Sequence, residues 1–152
     1  MKLLDMLKKE AIVTDLKATD KMGVIEELIT PIAQLTHTDQ NTLVEGIMSR
    51  ERLGSTGIGN GIGIPHGKLK GLPSLVMGVG LSRKGVDFES IDGKRTYIFF
   101  LLLAPEEAAG LHLKLLARIS RLLKNDLFRQ ALINARNADE VYTVIQSSDE
   151  DF

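Results

Sequence analysis

Apolar residues recur every three to four positions between Asp20 and Leu35, placing Met22, Ile25, Leu28, Ile29, Ile32 and Leu35 on one helical face. Thr19 or Asp20 is placed to cap this helix, and Pro31 kinks it or limits its length. A second helical stretch, Asp39 to Leu53, turns Leu43, Ile47 and Met48 inward, with Thr38 as a cap candidate and Gly54 as its stop. The pattern then changes. Leu75 to Leu81 and Tyr97 to Leu103 are near-continuous apolar runs rich in branched and aromatic residues, the mark of buried strands. Between them, Gly85-Val86-Asp87-Phe88 reads as a short strand and Ile91-Asp92-Gly93-Lys94 as a turn. Pro105, at the first helical position, opens a helix from Glu106 to Lys124 with two glutamates in its first turn. Its core stripe is Leu111, Leu115, Ile119 and Leu122. Shorter helices follow near Asp126 to Asn134 and Ala138 to Gln146, and the acidic end from Asp149 to Phe152 reads as a frayed tail. Helices alternating with strands predict an α/β fold, a mixed β-sheet flanked by helices. No repeat or linker interrupts it, so residues 1–152 read as a single domain.

Composition narrows the function classes. The 152 residues are 43% hydrophobic and 26% charged, ordinary for a soluble globular chain, and the net charge of −1 supplies no field for nucleic acid or anionic lipid. There is no cysteine, which removes disulfides, thiol catalysis and cysteine-held metals. The longest apolar run, Tyr97 to Ala104, is too short to span a bilayer, and charges break the N-terminal apolar residues. These features predict a cytoplasmic protein without direct membrane insertion.

The chemistry concentrates in Gly54-Ser55-Thr56-Gly57-Ile58-Gly59-Asn60-Gly61-Ile62-Gly63-Ile64-Pro65-His66-Gly67-Lys68. Six glycines and a hydroxyl pair precede or flank a single histidine. Free backbone N–H groups in such a loop can form an anion-binding concavity, while neutral imidazole is a nucleophile that needs no separate base. The segment matches neither G-x-G-x-x-G nor a Walker loop, because Ile62, Ile64, His66 and Leu69 occupy required positions. His66 is therefore the candidate phosphoryl acceptor, with backbone donors from Gly57 to Gly63 and the Thr56 hydroxyl available for phosphoryl oxygens. Arg52, at the helix end feeding the loop, is either a forked donor to phosphate or a solvated arginine. Arg50 and Glu51 have weaker claims. His112 lies on the apolar face of the long helix, where it is either a core histidine or a partner for His66; His37 reads as a capping or surface residue. The three histidines show no metal-ligand spacing, so neither metal nor cofactor is expected.

The stretch from Arg50 to Lys68, with the strand ending Leu-Ala-Pro-Glu and the following His112, resembles the mannitol/fructose-type (type 2) EIIA domains of the bacterial phosphoenolpyruvate-dependent phosphotransferase system. The similarity runs over roughly residues 4 to 146. It implies a phosphoryl carrier in which His66 accepts phosphate from an HPr- or NPr-type phosphocarrier, aided by His112, Arg52 and Thr56. Gly63 departs from the alanine usual in relatives. Gly67, where sugar-transporting members commonly have alanine, and the lack of a fused EIIB, EIIC or carrier domain favour the nitrogen-regulatory branch. That branch implies phosphorylation-dependent binding to a downstream regulatory or transport protein. The alternative is a sugar-specific EIIA that passes phosphate to an EIIB cysteine.

Overall fold

A computed structural model describes residues 1–149. Its elements run β1 (Leu7–Val13), α1 (Lys21–Thr36), α2 (Gln40–Glu51), β2 (Gly57–Gly59), β3 (Ile62–Gly63), β4 (His66–Leu69), β5 (Val76–Val86), β6 (Thr96–Pro105), α3 (Ala109–Leu123), α4 (Asp126–Asn134) and α5 (Ala138–Ser148). The expected α/β class holds. The six strands form one mixed sheet in the order β1-β5-β6-β3-β2, with β4 also paired to β6.

Strand β6 is the axis of the molecule. Every residue from Ile98 to Ala104 is at most 1% exposed, because both faces are covered. One edge of β6 pairs antiparallel with β5, while its other edge carries β3 and then β4, both parallel to it. The Pro65 carbonyl accepts the Leu102 N–H at 2.9 Å, so the chain stays on β6 between the two short strands. Cross-strand partners share a face and successive residues alternate. Phe99 pairs with Gly80, whose missing side chain leaves room for Leu28 of α1. Phe100 points the other way, onto Phe128 of α4 at 6.5 Å between rings. Helix α1 therefore covers one face and α4 the other. His66 pairs with Leu102 and Gly67 with Leu103, so these neighbours face opposite layers.

Several expectations shift. Strand β1 went unread because Lys8, Lys9 and Glu10 interrupt its apolar residues; it is an edge strand with an irregular register, and those three residues are exposed. The apolar run from Leu75 and the short Val86 stretch merge into one strand. Asp20 and Asp39, not Thr19 and Thr38, cap α1 and α2, accepting from the Gly23 and Thr42 N–H groups at 3.0 and 3.1 Å. Helix α1 continues past Pro31 to Thr36. Pro105 ends β6 and precedes a 3-10 turn, Glu106–Ala108, before α3 begins. In α3 the fully covered positions are His112, Leu115, Ile119 and Leu123, with Leu111 and Leu122 at the margins. Asp149 is no frayed residue: its buried carboxylate accepts the Leu3 and Leu4 N–H groups at 2.9 and 3.0 Å. Residues 150–152 lie outside the described residues.

Candidate active site

The glycine-rich segment is a ribbon rather than an open concavity. Asn60 and Gly61 both have positive φ, 57° and 76°, which makes the two-residue turn joining β2 to β3. Its donors are largely spent. The Thr56 N–H goes to Glu51, Gly57 N–H to the Ser55 hydroxyl, Asn60 N–H to Asp92 and Ile64 N–H to the Thr56 carbonyl. Of the expected free N–H array from Gly57 to Gly63, the Gly57 and Asn60 groups are thus taken, and strand pairing engages Gly59, Ile62 and Gly63.

What the ribbon achieves is the placement of His66. Its Nδ1 lies 2.7 Å from the Ile64 carbonyl. A carbonyl only accepts, so Nδ1 carries the proton and Nε2 keeps the lone pair. Burial pushes the His66 pKa below its ordinary value of 6.5; the Ile64 bond opposes this and the Arg50 charge adds to it. The ring is accordingly neutral at neutral pH.

His112 stands across from it. The two rings meet edge to face with centroids 5.5 Å apart. His112 is 4% exposed, and its Nε2 is buried without a hydrogen-bond partner among the described residues. Burial, then the nearby His66 and Lys68, lower its pKa to about 4. Both imidazoles help line a cavity of about 650 Å³ at the β4 edge between α2 and α3, together with Arg50, Leu53, Lys68 and Glu106. The cavity wall carries two cations, one carboxylate and the two imidazoles, and its apolar rim includes Leu53 and Leu113, 84% and 68% exposed.

The family follows from comparison with known proteins. A family model described as "Phosphoenolpyruvate-dependent sugar phosphotransferase system, EIIA 2" matches residues 5–148. The chain belongs to this EIIA family. A nitrogen regulatory protein of Bradyrhizobium diazoefficiens is 39% identical over 145 residues, covering 95% of each chain. The fructose-specific EIIABC component of Bacillus subtilis is 35% identical over 98% of this chain but only 24% of its own length. Among solved structures, the nitrogen regulatory protein IIA-Ntr of Neisseria meningitidis superposes with a TM-score of 0.88 at 30% identity, covering 93% of this chain and 97% of its own. The mannitol IIA of Escherichia coli shares the fold, with a TM-score of 0.77 at 19% identity over 91% of this chain and 97% of its own.

Within this EIIA domain the four residues singled out in sequence do not all meet. His66 and His112 share the cavity. Arg52 points away, forming a forked ion pair with Glu45 on the surface. Thr56 is 3% exposed, with its hydroxyl donating to Glu51. The arginine on the cavity wall is Arg50, whose guanidinium also donates to the Gly54 carbonyl at 2.8 Å. Two residues apart on a helix means about 200° of rotation, so only one of the pair can face the cavity. Lys68 and Glu106 also join the wall; nothing in their local sequence distinguishes them from surface charges.

Gly67 has a separate reason to be glycine. A Cβ there would lie 2.3 Å from the Gly46 carbonyl oxygen of α2. That close approach of two backbones brings α2, and with it Arg50, against the histidine strand.

Proposed function

We propose that this EIIA domain carries a phosphoryl group on Nε2 of His66, taken from a phosphohistidine on an HPr- or NPr-type phosphocarrier in the cytoplasm. The observation that carries the reading is the His66 Nδ1 bond to the Ile64 carbonyl, which leaves the lone pair on Nε2 of a ring that shares its cavity with Arg50 and Lys68. In the transfer, that lone pair forms the new N–P bond as the donor's N–P bond breaks. The bonding electrons return to the donor imidazole, and no proton has to move. The positive charge gathering on the His66 ring is spread onto Nδ1–H, where the hydrogen bond to the Ile64 carbonyl stabilises it. Arg50 and Lys68 offset the charge of the phosphoryl oxygens, the main source of catalysis in phosphoryl transfer. The exposed leucines of the rim favour a protein donor over a free small molecule.

The output is regulatory: the added charge changes which downstream protein binds the apolar rim. The match to a nitrogen regulatory protein over 95% of both chains supports this branch over sugar transport. In the sugar-specific alternative, the phosphoryl group passes to an EIIB cysteine.

Intact mass after incubation with phosphoenolpyruvate, enzyme I and an HPr-type carrier tests the chemistry. Wild type gains one acid-labile phosphoryl group and His66→Ala, shown to be folded, gains none. Equal labelling of both would move the reaction to another residue.

A further inference from the structure

The loop that holds His66 is itself hung on a buried charge pair that the transfer chemistry does not use. Glu51, the last residue of α2, has a side chain only 1% exposed. The Lys21 ammonium, from the first turn of α1, lies 3.0 Å from its Oε1, on a side chain that is 12% exposed. The same carboxylate accepts the Thr56 N–H at 3.2 Å and the Thr56 hydroxyl. Thr56 then offers its carbonyl to the Ile64 N–H at 3.0 Å, and the Ile64 carbonyl receives the His66 Nδ1 proton at 2.7 Å. An unbroken series of contacts thus runs from Lys21 to the imidazole. No member except His66 lines the cavity.

We propose that Glu51 is a positioning residue for His66: through Thr56 and Ile64 its carboxylate, held by Lys21, keeps the ring proton on Nδ1 and the lone pair on Nε2. The inference rests on the reading of His66 as the phosphoryl acceptor. A buried carboxylate is costly unless paired and hydrogen-bonded, and this one is satisfied from three donors. Lys21 is fixed in turn, lying 5.1 Å from the Phe88 ring centre and 3.4 Å from Glu89 Oε2. The pair therefore ties α1 and the 88–89 connection to the end of α2. Without it, Thr56 loses both side-chain anchors, the Ile64 carbonyl is free to tilt, and the imidazole can take its proton on either nitrogen. Sequence reading gave Glu51 only a weak claim because a glutamate between two arginines at a helix end looks like a surface charge.

Two double variants test this. Lys21→Met with Glu51→Leu replaces the charge pair by apolar groups, an exchange that buried pairs commonly tolerate without unfolding. Lys21→Met with Glu51→Gln removes the charge but leaves a carbonyl oxygen for Thr56. Nitrogen-15 chemical shifts of His66 in the unphosphorylated proteins report the tautomer, and single-turnover uptake from phosphorylated HPr-type carrier reports the rate. The first variant is expected to show mixed tautomers and uptake slowed about 10- to 100-fold at saturating carrier, with KM unchanged. The second is expected to recover the Nδ1–H tautomer and most of the rate. Wild-type tautomer and rate in both variants, or equal losses in both, would overturn the assignment. Wild-type protein that takes up no phosphoryl group would refute the phosphoryl-carrier reading instead, while the nitrogen shifts decide the positioning role by themselves.

Discussion

Two arginines separated by one residue have opposite fates at the end of α2. Arg50 folds back onto the Gly54 carbonyl and lines the cavity, where its charge also reaches His66. Arg52 is neutralised by Glu45 in solvent. An exposed ion pair of that kind contributes little, whereas a donor aimed at a developing phosphoryl charge is worth much more. Arg50→Ala should therefore slow single-turnover phosphoryl uptake by about 10²- to 10³-fold, and Arg52→Ala by only a few-fold. The reverse ranking in rapid-quench measurements would return the role to Arg52. Sequence alone placed both arginines at the mouth of the loop and favoured Arg52, because the helix phase that turns Arg50 to the cavity depends on a strand far along the chain. The histidines were more legible. His66 stands out by its glycine-rich context, and His112 by its place on an otherwise apolar face.

At the scale of elements, the strongest signals were the long ones: α1, α2, β5, β6 and α3 follow from period and run length. The failures cluster where strands are short or polar. Strand β1 hides behind three exposed charges, and β2 to β4 total nine residues split by turns. Asn60-Gly61 was a readable hairpin signal inside what looked like a loop. The contact between β4 and α2 was not readable, since it depends on two glycines, Gly46 and Gly67, that only the tertiary structure brings together. It makes a sharp comparison. Gly67→Ala drives a methyl group into backbone and should cost about 1–3 kcal/mol. Gly63→Ala meets only the Phe99 ring and the Thr96 methyl at 3.2–3.3 Å, side-chain contacts that can yield, and should cost less. Urea midpoints of the two variants check the order, and equal midpoints would mean that α2 can withdraw freely. Because α2 also carries Arg50, Gly67→Ala should slow phosphoryl uptake as well.

The molecule as a whole is closed by Asp149, which joins the end of α5 to the first turn of the chain through one buried and one part-buried hydrogen bond. Asp149→Ala leaves the Leu3 and Leu4 N–H groups unpaired and should cost about 1–3 kcal/mol, read as lost amide protection at those two positions. A second whole-molecule property comes from the candidate site itself. His112 is neutral in the folded protein down to about pH 4, whereas in the unfolded chain an ordinary histidine binds a proton below about 6.5. Between those limits the unfolded state binds the extra proton, so acid favours unfolding. The contribution of His112 is complete above pH 6.5 and is lost as pH falls through about 4, by up to about 3 kcal/mol. Replacing it with a residue that cannot titrate, His112→Leu, should flatten this part of the stability curve. Denaturant titrations at pH 7 and pH 4.5 measure the difference directly. Wild type should lose more stability between the two pH values than the variant does, and parallel losses would show that the His112 proton is not excluded by the fold. The same burial keeps the imidazole beside His66 uncharged, so this acid sensitivity and the neutral state of the partner ring have one structural origin.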